Sequence, residues 1–83
     1  MLKPVRTRAR ASLSGGRFAI VASQYNARYV DGMLRAARAE LKRAGVAEVR
    51  VARVPGAFEV PVVARALARQ LPGWDAVICL GVI

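Results

Sequence analysis

Between Arg17 and Ile83 the apolar positions change rhythm repeatedly, and each rhythm predicts an element. The run RFAIVAS (Arg17–Ser23) is short, apolar and rich in β-branched residues, which predicts a buried strand. Val30, Met33, Leu34, Ala37, Leu41 and Ala44 then recur at a period of about 3.6, predicting a helix from about Ala27 to Ala44. Arg28, Arg35, Arg38 and Lys42 lie mostly off that face, Asp31 is placed to pair with Arg35 one turn on, and Gly45 is a helix stop. AEVRVARV (Ala47–Val54) alternates in part and predicts a second strand. Beyond PGAFEVP a second helix is expected from about Pro61 to Leu71, since proline suits the first helical turn. Val60, Val63, Ala64, Leu67 and Leu71 form its inner face, and Arg65 and Arg69 point outward. LPGWD (Leu71–Asp75) is a turn, and AVICLGVI (Ala76–Ile83) reads as a third strand, apolar almost throughout.

This strand–helix–strand–helix–strand order implies parallel strands, right-handed crossovers and a helix on each face of the sheet. Two helices cover three strands thinly, and the last strand is the most apolar. The domain is therefore expected to be incomplete, or to draw its missing cover from elsewhere. With strand order 2-1-3, three segments meet at the carboxyl rim, where open parallel sheets bind ligands: Gln24–Asn26, Gly56–Glu59 and Val82–Ile83. Their chemistry suits a flat polar ligand. Tyr25 offers an aromatic face. Asn26 offers a donor and an acceptor. Glu59 accepts hydrogen bonds, for example from sugar hydroxyls, and Gly56 and Ala57 let a ligand approach the backbone. Plainer roles stand beside these. Glu59 near a helix start is also a charge–dipole contact worth about 0.3–1 kcal/mol. Phe58 is also a candidate core residue, and Tyr25 a helix-entry staple. Trp74, at the opposite end of the sheet, is expected to serve packing.

Composition narrows the chemistry. The 83 residues contain no histidine, which removes the commonest metal ligand and the commonest general base near neutral pH. The single cysteine, Cys79, allows no internal disulfide, and its apolar surroundings predict a buried, inert thiol. No zinc site is expected from one cysteine and a few carboxylates. The longest apolar run, Ala76–Ile83, is far short of the roughly 20 residues needed to span a membrane. No glycine-rich phosphate loop follows the first strand, where SQYN stands instead, which argues against a generic nucleotide or flavin binder. The net charge is +9, but Lys3, Arg6, Arg8, Arg10 and Arg17 fall in the first stretch with no acid among them. Residues 1–16 are thus expected to be a flexible basic arm, solvated or docked on a partner, with only a faint likeness to an organelle transit peptide.

Three stretches, FAIVASQYNARYVDGMLRAARAEL, VARVPGAFEVPVVARALA and DAVICLGVI, resemble the lumazine synthase (6,7-dimethyl-8-ribityllumazine synthase) family over residues 17–83, the N-terminal half of that fold. PGAFEVP after a strand is the specific signal. Tyr25-Asn26 matches the family's aromatic-Asn pair, with tyrosine where phenylalanine or tryptophan is more usual. The resemblance implies a flavodoxin-like three-layer α/β/α fold with a parallel sheet, of which β-α-β-α-β is present here. It implies a cytoplasmic transferase of riboflavin biosynthesis. That enzyme condenses 5-amino-6-(D-ribitylamino)uracil with 3,4-dihydroxy-2-butanone 4-phosphate, without a metal or redox cofactor. Tyr25 would stack on the pyrimidine, and Asn26 and Glu59 would hold the ribityl chain. Ala57 and Phe58 would line that site, and Val82 and Ile83 would meet the pyrimidine edge through their main chain. The resemblance assigns no catalytic residue to this stretch: the family's phosphate loop, proton-moving histidine and phosphate-binding arginine follow the third strand. It also implies pentamers or sixty-subunit shells with sites at subunit interfaces, an N-terminal segment added to a neighbour's sheet, and neither membrane nor nucleic-acid partners. The alternative is a non-catalytic assembly module of the same family, whose basic arm gathers anions or nucleic acid.

Overall fold

The computed structural model describes residues 15–70 and 72–83. In chain order they form β1 (Arg17–Ser23), α1 (Ala27–Arg43), β2 (Glu48–Val54), a 3-10 turn (Ala57–Glu59), α2 (Val60–Ala68) and β3 (Ala76–Leu80). The sheet is parallel with order β2-β1-β3, and Ile20 of β1 lies opposite Val51 on one side and Ile78 on the other. This is the expected flavodoxin-like α/β arrangement, with β1 in the middle.

The two-faced apolarity of β1 follows from that position. Phe18, Ile20 and Ala22 pack with Val30 and Leu41 of α1, whereas Ala19 and Val21 pack with Val60 and Leu67 of α2. Strand alternation thus sends successive residues into two separate apolar layers, one beneath each helix. The charged positions behave as their spacing requires: Arg28, Arg35, Arg38, Lys42, Arg65 and Arg69 are all exposed. α1 ends in a Schellman arrangement. Val46 N–H donates to the Leu41 carbonyl at 3.1 Å and Gly45 N–H to the Lys42 carbonyl at 3.1 Å. Gly45 sits at φ 82°, the left-handed conformation that glycine adopts without steric cost.

Several boundaries differ from the sequence expectation. β2 starts at Glu48, one residue after Ala47, where its register with Arg17 of β1 begins. α2 begins at Val60, after the 3-10 turn, and ends at Ala68. Its last turn tightens, with Arg69 N–H on the Ala66 carbonyl and Gln70 N–H on the Leu67 carbonyl, ahead of Pro72, which cannot continue a helix. Leu71, expected on its inner face, lies outside the described residues, as does the basic arm save Gly15 and Gly16. β3 ends at Leu80, not Ile83, because its partner β1 runs out one residue beyond the Ala22–Leu80 pair.

Two side chains contradict their expected surroundings. Cys79 is exposed rather than buried: it stands on an outer strand, with β1 on one side only. Asp31 pairs with Arg53 of β2, Nη1 to Oδ1 at 3.0 Å, and not with Arg35. An arginine anchored on a neighbouring strand competes better for the carboxylate than a free one on the solvent face of the same helix. Trp74 packs as expected, beside Val77 on the α2 face. No helix among the described residues is long and apolar enough to cross a membrane.

Candidate functional site

The turn leaving β1 is tied to the end of β2. Gln24 N–H donates to the Val54 carbonyl at 2.7 Å and Tyr25 N–H to the Pro55 carbonyl at 3.0 Å. The ladder between the two strands therefore continues into the loops, and the two site-bearing segments are bonded to each other. Ser23, fully buried, adds an Oγ–H bond to the Tyr25 carbonyl at 3.4 Å. Asn26 is at φ 55°, ψ 47°, a left-handed conformation that asparagine tolerates better than most residues. Its carbonyl starts α1 by accepting Tyr29 and Val30 N–H, but its side chain makes no capping bond. The amide is thus left with its donor and acceptor for another group.

The PGAFE turn is held by a reciprocal pair of bonds. Glu59 N–H donates to the Gly56 carbonyl at 3.2 Å, and Gly56 N–H donates to Glu59 Oε1 at 2.7 Å. Both the plain and the functional readings of Glu59 therefore have a place. One carboxylate oxygen closes the turn, and a second remains to accept from a ligand. Glycine at 56 leaves this closure uncrowded, since a Cβ there would stand 3.1 Å from Oε1 and press the carboxylate aside. The third segment arrives through Gly81, where a Cβ would lie 3.3 Å from the Ala57 Cβ. Absence of a side chain lets the end of β3 rest directly on the PGAFE turn.

These contacts leave an open cleft of about 450 Å³ lined by Tyr25, Pro55, Gly56, Ala57, Phe58, Glu59, Val82 and Ile83. Six of the residues expected at the site, Tyr25, Ala57, Phe58, Glu59, Val82 and Ile83, come together on its wall; Asn26 stands next to Tyr25 but off the wall. Phe58 is 84% exposed, which excludes it from the core of this chain, and Ile83 is 98% exposed. Tyr25 is largely exposed too, so it does not serve as a buried staple. Gly56 lines the wall too, as its place in the rim segment implies; Pro55 lies on the wall outside the expected segments, and its position at the head of the PGAFEVP motif was the available signal. Among the described residues no cluster of histidine, cysteine or carboxylate side chains could hold a metal ion.

A family model described as 6,7-dimethyl-8-ribityllumazine synthase matches residues 15–83. Curated proteins bearing that name align with most of the chain. The protein from Kineococcus radiotolerans is 53% identical over 84% of this chain and 42% of its own length. That from Streptomyces coelicolor is 43% identical over 81% of this chain and 40% of its own. That from Pyrococcus furiosus is 41% identical over 83% of this chain and 43% of its own. The chain thus spans about two-fifths of the length of these relatives. A family model that runs through all three rim segments, with relatives 41% and 53% identical over more than four-fifths of the chain, settles the kinship: the chain belongs to the 6,7-dimethyl-8-ribityllumazine synthase family.

Proposed function

We propose that the complete protein containing this chain is a transferase of riboflavin biosynthesis that makes 6,7-dimethyl-8-ribityllumazine from 5-amino-6-(D-ribitylamino)uracil and 3,4-dihydroxy-2-butanone 4-phosphate. One observation supports this above the others: the Tyr25-bearing turn and the PGAFE turn are hydrogen-bonded together and share one cleft with Val82 and Ile83. In this reading Tyr25 stacks on the pyrimidine, and Val82 and Ile83 meet its edge through main-chain groups. Glu59 Oε2 and the Asn26 amide take the ribityl hydroxyls, and the backbone of Ala57 and Phe58 lines that side. The reaction is attack of an amine on a ketone, imine formation, loss of phosphate and ring closure. Both substrates are reactive, so the protein's main contribution is to hold them in register. The segment described here supplies the ribityl–pyrimidine side. Phosphate binding and proton transfer belong to the remainder of the protein, and the 83 residues alone are inactive. The exposed Phe58 and the open cleft suit a site completed by a neighbouring subunit in a pentamer or larger shell in the cytoplasm.

The test is steady-state kinetics on the complete protein with both substrates. Glu59→Ala is expected to raise KM for the ribityl substrate by about ten- to a hundredfold, the loss of a hydrogen bond to a charged group, with little change for the phosphate substrate. Equal effects on both would contradict the assignment, and a wild-type protein that makes no lumazine would end it.

A further inference from the structure

We infer that Arg53 is a positioning residue for the ribityl–pyrimidine side of the cleft, acting through the Ser23 carbonyl and the Asp31 carboxylate on the turn that carries Tyr25 and Asn26. This rests on the function proposed above. Arg53 lies on β2 opposite Ala22 of β1, on the α1 side of the sheet. Its side chain keeps 31% of its surface exposed, yet each guanidinium nitrogen has a partner within the chain. Nε donates to the Ala22 carbonyl at 3.2 Å and Nη2 to the Ser23 carbonyl at 2.9 Å, while Nη1 stands 3.0 Å from Asp31 Oδ1. That oxygen is shut off from water and makes no hydrogen bond of good geometry, so the Arg53 charge is what compensates it.

The three contacts bracket the functional turn. Ser23 is the last residue of β1, immediately before Gln24-Tyr25-Asn26, and Asp31 lies in the opening turns of α1, immediately after them. One planar fork therefore grips both ends of the turn from the strand that leads, two residues later, into PGAFE. The turn needs such a grip. Asn26 is held at positive φ with no capping bond from its own side chain, and such a backbone persists only where its surroundings over-determine it. Lysine offers a point charge in place of the fork, so it can answer Asp31 but cannot also span two successive carbonyls.

The test uses the complete protein and the variants Arg53→Met and Arg53→Lys. Arg53→Met is expected to raise KM for 5-amino-6-(D-ribitylamino)uracil about tenfold, with KM for the butanone phosphate changed less than about twofold, as for a displaced binding group. Arg53→Lys is expected to restore the thermal midpoint towards wild type while the ribityl KM stays raised several-fold, a split that a merely structural cross-link would not produce. In a crystal structure of Arg53→Lys, residues 24–26 are expected to shift while residues 56–59 stay in place, and this reading does not depend on turnover. An unmoved turn, or equal changes in both KM values, would overturn the inference while leaving the proposed activity intact. An inactive wild type would overturn the activity alone, with the position of the turn still deciding the role of Arg53.

Discussion

The two rims of the sheet use similar residues to opposite ends. At the amino rim, Arg17 is consumed internally: its N–H donates to Asp75 Oδ2 at 2.7 Å, its Nε to Glu48 Oε1 at 2.9 Å, and its Nη1 to the Pro72 and Gly73 carbonyls. Its guanidinium also lies 4.3 Å from the Trp74 ring centroid, with Arg50 at 5.5 Å, and Trp74 Nε1 donates to Gln70 Oε1. At the carboxyl rim the supporting layer is equally satisfied, through Arg53, Ser23 and the Gly56–Glu59 closure. The outer layer is not. Tyr25 and Phe58 are exposed, and the Asn26 side chain caps nothing. A rim whose polar groups and aromatics all find partners within the chain is built for stability. A rim that spends its bonds on posture and leaves Tyr25, Phe58 and the Asn26 amide unengaged within the chain is where the proposed function places its ligand.

Substitutions that separate these roles put the contrast at risk. The largest effect is expected from Trp74→Ala. It should cost about 2 kcal/mol of stability, the usual tryptophan truncation scaled down for half-burial, with both KM values unchanged. Chemical denaturation and kinetics on the same sample measure both, and a raised KM for the ribityl substrate would dissolve the distinction between the rims. Gly81→Ala should come next. Its new Cβ presses on Ala57, and the expected outcome is about 1 kcal/mol of destabilisation together with a several-fold rise in the ribityl KM. A purely thermal effect would show that the end of β3 does not shape the cleft.

The smallest effect belongs to Glu48. The hydrogen bond from Arg17 holds its carboxyl below the usual carboxylate range, against an opposing effect of burial and with smaller help from the charges of Arg17 and Arg50. A lowered folded-state value means that the pair stabilises above the unfolded carboxylate pKa and loses this contribution as pH falls through the folded value. Glu48→Gln should therefore flatten the acid side of the stability–pH curve slightly and leave catalysis alone. Melting curves at stepped pH would reveal a curve identical to wild type if the exposed pair contributes nothing.

Much of this organisation was legible in the chain. The β1 boundaries and the apolar face of α1 follow from apolar spacing, because each element has to bury its own stripe, and the 2-1-3 order of the sheet is the one on which the three-segment rim was premised. The meeting of the Tyr25 turn with the PGAFE turn follows from the same topology. What could not be read is anything decided between elements. The partner of Asp31 depends on which arginine is already fixed beside it, and local spacing pointed to Arg35. Burial of Cys79 depends on what covers an outer strand, which an apolar run does not state. The end of β3 depends on where its neighbour stops.

Alternation and helical period, with the PGAFEVP and Tyr-Asn signatures, indicated the elements, the layers and the three segments expected at one rim. Only the tertiary structure decided that Arg53 braces the turn, that Glu59 divides its carboxylate between Gly56 and the cleft, and that Phe58 faces outward. The physical reason is one of range. Periodicity records which side of its own axis a residue buries, whereas a hydrogen bond between strand, turn and helix exists only once separate pieces of chain have been packed to within about 3 Å.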